Sequence, residues 1–164
     1  MLKTPDASLT DLFELIKSDY PDIQLVESGQ FAWHSQKKQL AYKRITQDSM
    51  RNIFSLLHEL GHAVLDHKDY TYDIELLQLE AAAWGKAHEL ANRYQIELDE
   101  EYVQDCLDTY RDWLHLRATC PTCFARSLQA SASHYHCLNC QTEWSVTRSR
   151  LCRPYRLKTA RVTA

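Results

Sequence analysis

The five residues His58-Glu59-Leu60-Gly61-His62 have a spacing that suits the binding of a metal ion. Residues four apart lie on the same face of an α-helix. His58 and His62 can therefore offer two imidazole nitrogens to one zinc ion, while Glu59 stands beside the metal, placed to take a proton from metal-bound water. The alternative is a chance pair of histidines on a helix. This alternative is disfavoured, because three specific residue types rarely occur at these fixed offsets by chance. The pattern predicts a zinc hydrolase.

The residues around this motif predict that it lies on a helix. An apolar stripe with helical spacing is formed by Ile53, Leu57, Leu60 and Val64, with Phe54, His58 and His62 on its flank. Two histidines do not complete a catalytic zinc site, which normally has three protein ligands and a water. The metzincin pattern would place a third His at position 68, where this chain has Lys68. We therefore expect the third ligand on a following helix.

Glu80 is the residue that we expect to complete the site. The segment from Asp73 to Tyr94 has an apolar helical face, formed by Leu76, Leu79, Ala83, Trp84, Ala87, Leu90, Ala91 and Tyr94. Glu80 lies in the middle of that face, whereas Glu75 lies among the polar residues. A carboxylate that faces a core is costly unless it is paired or bound to metal. The alternative partner for Glu80 is an Arg or Lys.

A family resemblance rests on these residues together with their flanks. The run Arg51-Asn-Ile-Phe-Ser-Leu-Leu-His-Glu-Leu-Gly-His62, followed by Glu80-Ala-Ala-Ala83 and Ala87, resembles the ImmA/IrrE (M78-like) zinc metallopeptidases over roughly residues 25 to 95. The resemblance implies a compact gluzincin-like domain, with His58, His62 and Glu80 on zinc and Glu59 as catalytic base. Family members often have His four residues after the second ligand. This chain has Asp66 there and His67 next, which predicts a divergent member.

Two C-x-x-C turns, Cys120-Pro-Thr-Cys123 and Cys137-Leu-Asn-Cys140, are separated by thirteen residues. Each turn aims two thiolates at one ion, so four sulfurs can close a tetrahedral site. This spacing predicts a zinc ribbon whose zinc is structural, because no position is left for water. Disulfides or a redox pair are the less favoured alternatives.

Two histidines and two further cysteines are not needed for the predicted ribbon site. His134 and His136 could replace a thiolate, but four cysteines suffice, so we expect both on the surface. Cys106 is expected to be a buried thiol. Cys152 has no partner in the sequence.

Length and composition allow one ordinary domain and a small appendage. We expect an α+β fold, mostly helical: a zincin-like (gluzincin) metallopeptidase domain with a small β-sheet over residues 1–117, and a zinc ribbon over 118–147. The expected elements outside the motifs are a helix from Ser8 or Thr10 to Ser18, a strand near Ile23–Val26, a hairpin of Phe31–Trp33 and Leu40–Tyr42, and a helix from Asp99 to Arg117.

The last predicted segment, residues 148–164, is a basic tail. It carries six basic residues and no acidic ones, whereas the other 147 residues carry 13 basic and 22 acidic ones. Such asymmetry can mark a nucleic-acid contact, although a frayed terminus or one docked on its own acidic body is favoured. Without a leader-like N-terminus or an apolar stretch of membrane length, we expect no membrane contact and a cytoplasmic location.

The sequence thus favours a zinc endopeptidase that hydrolyses peptide bonds by Glu59-assisted attack of zinc-bound water, with two Zn²⁺, one catalytic and one structural. The family resemblance implies a regulatory protein partner as substrate. A second electrophile is available by type from His67, Tyr70, Tyr72 and His88. One alternative is a SprT-like protease that acts near DNA through ribbon and tail, although those proteins generally use a third His. Another is a non-catalytic ribbon binding module, against which the intact Glu59 argues.

Overall fold

The computed structural model describes residues 9–44, 50–147 and 156–158. These residues form an α+β structure. Helices make up most of its regular structure: α1 (Leu9–Asp19), α2 (Met50–Val64), α3 (Asp73–Arg93) and α4 (Glu100–Ala118). The strands are short: β1 (Gln24–Glu27), β2 (Ala32–His34), β3 (Gln39–Tyr42), β4 (Leu128–Ser131), β5 (His134–His136), β6 (Glu143–Val146) and β7 (Arg156–Lys158). Among the described residues, no helix is both long enough and apolar enough to cross a bilayer.

The chain divides into two compact units. The first consists of Met1–Lys68 and Leu79–Val103, and the second of Asp69–Gln78 and Gln104–Ala164. Helices α3 and α4 each contribute residues to both units. This division by contacts does not test whether parts of the chain fold independently. The predicted domains therefore stay a prediction, with bounds of 1–117, 118–147 and 148–164.

The first unit holds a three-stranded sheet in the order β1-β3-β2. The predicted hairpin is confirmed: β2 pairs antiparallel with β3, and Lys38, with φ of 49°, closes the turn between them. Strand β1 joins the other edge of β3 in parallel register. Strand β2 is therefore an edge of this sheet, and α2 packs against β2 and β3.

Helix α2 is buried over a wider arc than the predicted stripe. Its buried residues are Phe54, Leu56, Leu57, His58, Leu60, Gly61 and Ala63. Ile53 and Val64, which were expected in the stripe, are only half-buried. The predicted helix is confirmed, and its buried face is wider than one stripe because α2 contacts both the sheet and α3.

The second unit contains a four-stranded antiparallel sheet in the order β4-β5-β6-β7. Its core is formed by Cys120, Tyr135, Cys137, Trp144 and Val146. Strand β7 comes from the predicted basic tail, so these three residues form part of a sheet and are not a frayed terminus. The rest of the tail, including Cys152, lies outside the described residues.

A buried ion pair fixes the start of α3 within this second unit. Arg117 is 1% exposed and Asp73 is 2% exposed. The guanidinium donates from Nε and Nη2 to the two carboxylate oxygens of Asp73, at 2.6 and 3.2 Å. The Tyr135 hydroxyl also donates to Asp73, and the Asp73 backbone N–H donates to Gln129 at 2.7 Å. Both charges are thus paired and hydrogen-bonded, which offsets the cost of their burial.

Candidate metal centres

The predicted ligands of the first centre lie together in the first unit. Helix α2 places His58 and His62 one turn apart, with their Nε2 atoms 3.1 Å from each other. Helix α3 brings Glu80 to them: Oε2 lies 3.0 Å from His58 Nε2, and Oε1 lies 3.6 Å from His62 Nε2. Glu80 is only 5% exposed, as the helical wheel predicts.

The two helices approach closely because small residues face each other where they cross. A Cβ atom added to Gly61 would lie 2.5 Å from the carbonyl oxygen of Ala83. No real Cβ contact is that short, so the crossing requires glycine at position 61. Ala83 is fully buried, three residues after Glu80 on α3. This close crossing allows the Glu80 carboxylate to reach the two imidazoles.

This group has the chemistry and dimensions of a zinc site. Zinc bonds of 2.0–2.2 Å in a tetrahedral arrangement place ligand atoms about 3.3–3.6 Å apart. The three side chains offer ligand atoms that all lie within 4.8 Å of one another. Burial by itself raises the pKa of Glu80, but hydrogen bonds from His58 and His62 and their charges outweigh it and hold the pKa below its ordinary value. The donor set therefore fits a divalent cation, and the ligand roles of the three residues stay a prediction.

The two imidazoles are oriented in different ways. The His58 ring stacks on Trp84, with centroids 4.3 Å apart and planes at 28°, while its Nδ1 has no hydrogen-bond partner among the described residues. The His62 ring instead places Nδ1 at 2.9 Å from Nδ1 of His67. Burial and the neighbouring His62 lower the pKa of His67. Packing against Trp84 orients the His58 ring, and the contact with His67 orients the His62 ring.

Glu59 is held by the edge strand. The backbone N–H of Trp33, in β2, donates to Glu59 Oε2 at 2.8 Å. The indole Nε1–H of the same residue donates to the carbonyl oxygen of His67 at 3.1 Å. Trp33 therefore contacts both the predicted base and the segment that follows α2. Its position in the sequence gives no sign of this, because it lies 26 residues before Glu59 and in another element.

Glu75 has a role that is separate from the metal centre. It lies in the second unit, and its Oε2 accepts hydrogen bonds from the backbone N–H groups of Thr71 and Tyr72, at 2.8 and 2.9 Å. These bonds, that of Tyr72 first, lower the pKa of Glu75. Glu75 thus satisfies free N–H groups at the start of α3, as acceptors near helix N-termini do.

The second centre is formed by the four ribbon cysteines. Sγ of Cys120 lies 3.6 Å from Sγ of Cys140, and Sγ of Cys123 lies 3.5 Å from Sγ of Cys137. All four sulfurs lie within 4.8 Å of one another. A disulfide would require about 2.05 Å, whereas a tetrahedral zinc–thiolate site requires about 3.8 Å between sulfurs. The geometry fits a closed zinc site and not two disulfides, and these ligand roles also stay a prediction.

The two cysteine turns have the same backbone structure. In the first, Phe124 N–H donates to Cys120 O and Cys120 N–H donates to Ala125 O, at 3.1 and 2.9 Å. In the second, Gln141 and Thr142 take the corresponding places around Cys137, both bonds measuring 2.9 Å. Phe124 and Gln141 each have φ of 61°. A hydrogen bond from the Ser127 hydroxyl lowers the pKa of Cys137, which favours the thiolate.

The other residues singled out from the sequence lie outside these two clusters. His134 is exposed and His136 is half-buried on β5, where His136 hydrogen-bonds to Gln141 and Glu143. Cys106, expected to be buried, is only half-buried. His88 contacts Glu100 at 3.0 Å in the first unit, and Tyr70 and Tyr72 belong to the second unit. Of the four candidate electrophiles, His67 hydrogen-bonds to the predicted metal ligand His62.

A comparison with known protein families shows to which family the chain belongs. The sequence profile of the peptidase M78 family, described as the IrrE N-terminal-like domain, matches residues 20–148. The chain belongs to this family. The ImmA/IrrE resemblance is thereby confirmed, and the match extends beyond residues 25–95 to include the ribbon cysteines. Membership in the M78 family supports a peptidase activity and implies a metal. No curated protein and no solved structure shows significant similarity to the chain.

Proposed function

We propose that the chain is a zinc-dependent endopeptidase that cleaves a regulatory protein partner. The observation that supports this proposal is the buried convergence of His58, His62 and Glu80 beside a glutamate held at a sheet edge. Three protein ligands leave a fourth position of a zinc ion open, which is characteristic of catalytic sites. Bound there, zinc would supply Lewis acidity and lower the pKa of a coordinated water.

Glu59 is the general base in this proposal. The hydrogen bond from Trp33 N–H occupies Oε2 and fixes the carboxylate, so that Oε1 can accept a proton from the attacking water. The same carboxyl group can then donate that proton to the leaving amine. A pre-positioned base of this kind typically contributes about 10²–10⁴-fold to the rate.

Strand β2 is the surface along which we propose that the substrate binds. It is an edge of the three-stranded sheet, and an extended peptide can add a strand to such an edge. Because the Trp33 N–H already donates to Glu59, the peptide would pair with the remaining outward backbone groups of β2. This places the scissile region of an extended peptide close to the base.

The substitution Glu59→Gln tests the function. The carboxamide keeps the shape of the side chain but cannot accept the proton, so cleavage should fall by about 10²–10⁴-fold. The zinc content should not change, because Glu59 is not a ligand. Cleavage of a mixed peptide library, followed by mass spectrometry, measures the first quantity, and elemental analysis measures the second. The exposed Glu97, changed to Gln, serves as the matched control. Cleavage by Glu59→Gln at the parent rate would reject the mechanism.

A further inference from the structure

The chain reverses its direction at the C-terminus of α2 and runs back toward the candidate metal centre. Asp66 has φ of 50°, and its N–H donates to Ala63 O at 3.1 Å. The next N–H, that of His67, donates to His62 O at 3.0 Å. These two bonds and the left-handed residue form a Schellman motif, which reverses the chain direction at a helix C-terminus. His67 is thereby placed beside His62, five residues earlier.

Three contacts hold His67 in place. Its backbone N–H donates to His62 O, its carbonyl oxygen accepts the Trp33 indole N–H, and its ring Nδ1 lies 2.9 Å from His62 Nδ1. The first two contacts involve the His67 backbone. Together they bring the His67 ring next to the His62 ring. A side chain held in this way has little freedom to be lost when it forms a hydrogen bond.

We propose that His67, anchored by Trp33, is a positioning residue that sets the tautomer and orientation of His62. This inference rests on the proposed metal site. Nε2 of His62 faces His58 and Glu80, so it must carry a lone pair in order to bind a metal. A neutral imidazole then has its proton on Nδ1. That proton is donated to Nδ1 of His67, which must in turn carry its own proton on Nε2.

The partner of a ligand imidazole is usually a carboxylate, a backbone carbonyl or a water. Here it is a second imidazole, and no such partner exists for His58 Nδ1 among the described residues. The orientation of the ligand pair therefore depends on His67 on one side and on Trp84 stacking on the other. Loss of an outer partner typically weakens metal binding by about 10–100-fold.

Two substitutions at position 67 test the hydrogen bond. His67→Phe keeps a ring but removes the acceptor, so zinc at the His58–His62–Glu80 site should bind about 10–100-fold more weakly. His67→Asn keeps an acceptor oxygen near the place of Nδ1 and should recover most of that loss. Chelator competition with the full chain, its ribbon loaded with zinc, gives the affinity. Equal affinity of His67→Phe and the parent, or no recovery in His67→Asn, would overturn the proposal.

A pair of tryptophan substitutions tests the anchor. Trp33→Phe removes the indole N–H but keeps the backbone bond to Glu59, so the affinity should fall by about 2–10-fold, the value of one hydrogen bond. Trp113→Phe is the matched control, because the Trp113 Nε1 is buried with no partner among the described residues. Equal affinities of these two variants would argue against the anchor.

Nitrogen NMR of the zinc-bound protein reads the tautomers directly. His62 should carry its proton on Nδ1 and His67 on Nε2, whereas a proton on Nδ1 of His67 would overturn the assignment. A parent protein that binds zinc at the ribbon alone would reject the proposed function itself, and this inference with it. Normal zinc binding with unaffected variants would reject the role of His67 alone.

Discussion

The two candidate metal centres bring their ligands together by opposite means. In the His58–His62–Glu80 centre, the ligands come from two long helices, and their positions depend on a tertiary crossing. In the cysteine centre, each pair of ligands belongs to one tight turn, and the turns differ in sequence but share their hydrogen bonds. In the proposed function, the first centre leaves a coordination position open, and the second does not. The proposed catalytic site thus depends on packing between helices, whereas the proposed structural site depends on local turns.

The largest expected effect separates the centres. Cys120→Ala should remove the ribbon zinc and unfold its sheet, because structural zinc supplies about 10–16 kcal/mol of apparent binding free energy to such modules. Elemental analysis should then show one zinc per chain, whereas the parent should show two. The near-ultraviolet circular dichroism of the Tyr135–Trp144 stack should also be lost. Cys106→Ala, which lies outside the cluster, should keep two zinc ions. Two zinc ions in Cys120→Ala would contradict the closed centre.

A second comparison uses the two glutamates of α3. Glu80→Ala should weaken zinc binding at the open centre by at least about 100-fold, more than the loss of an outer partner, and leave the ribbon zinc in place. Glu75→Ala should keep both metals and lower the melting temperature slightly, because it loses the bonds to Thr71 and Tyr72. Zinc titration and thermal unfolding measure the two effects. The reverse result would transfer the ligand role to Glu75.

The smallest effect tests the helix crossing, and the chain provides its own control. Gly61→Ala places a methyl group against the Ala83 carbonyl and should destabilise the fold by about 1–3 kcal/mol. Gly85 lies on α3, as Ala83 does, and an added Cβ there would have no heavy atom within 4 Å. Gly85→Ala should therefore stabilise the fold by about 0.5–1 kcal/mol. Denaturant unfolding distinguishes them. Equal stabilities would mean that the crossing is looser than described.

The sequence predicts well what depends on local periodicity. The burial of Glu80 follows from helical spacing alone, and the proximity of the four sulfurs follows from the two turns. The contacts of Trp33 depend on the docking of β2 against α2, which no local pattern encodes. The position of His67 depends on a left-handed Asp66. Asp adopts this conformation more often than most residues, but only a small fraction of Asp residues do so, and the sequence does not show which ones. The full width of the buried face of α2 likewise depends on neighbours that are distant in sequence.

The shared hydrogen bonding of the cysteine turns has a consequence for chain entropy. Each turn closes on itself through two backbone bonds, so the metal does not have to gather four separate residues. It has to close a single loop, that of the thirteen residues between Cys123 and Cys137. The length-dependent part of that cost is roughly 2 kcal/mol, since it grows as the logarithm of loop length. The entropic cost of assembling the four sulfurs should therefore depend mainly on the length of this loop.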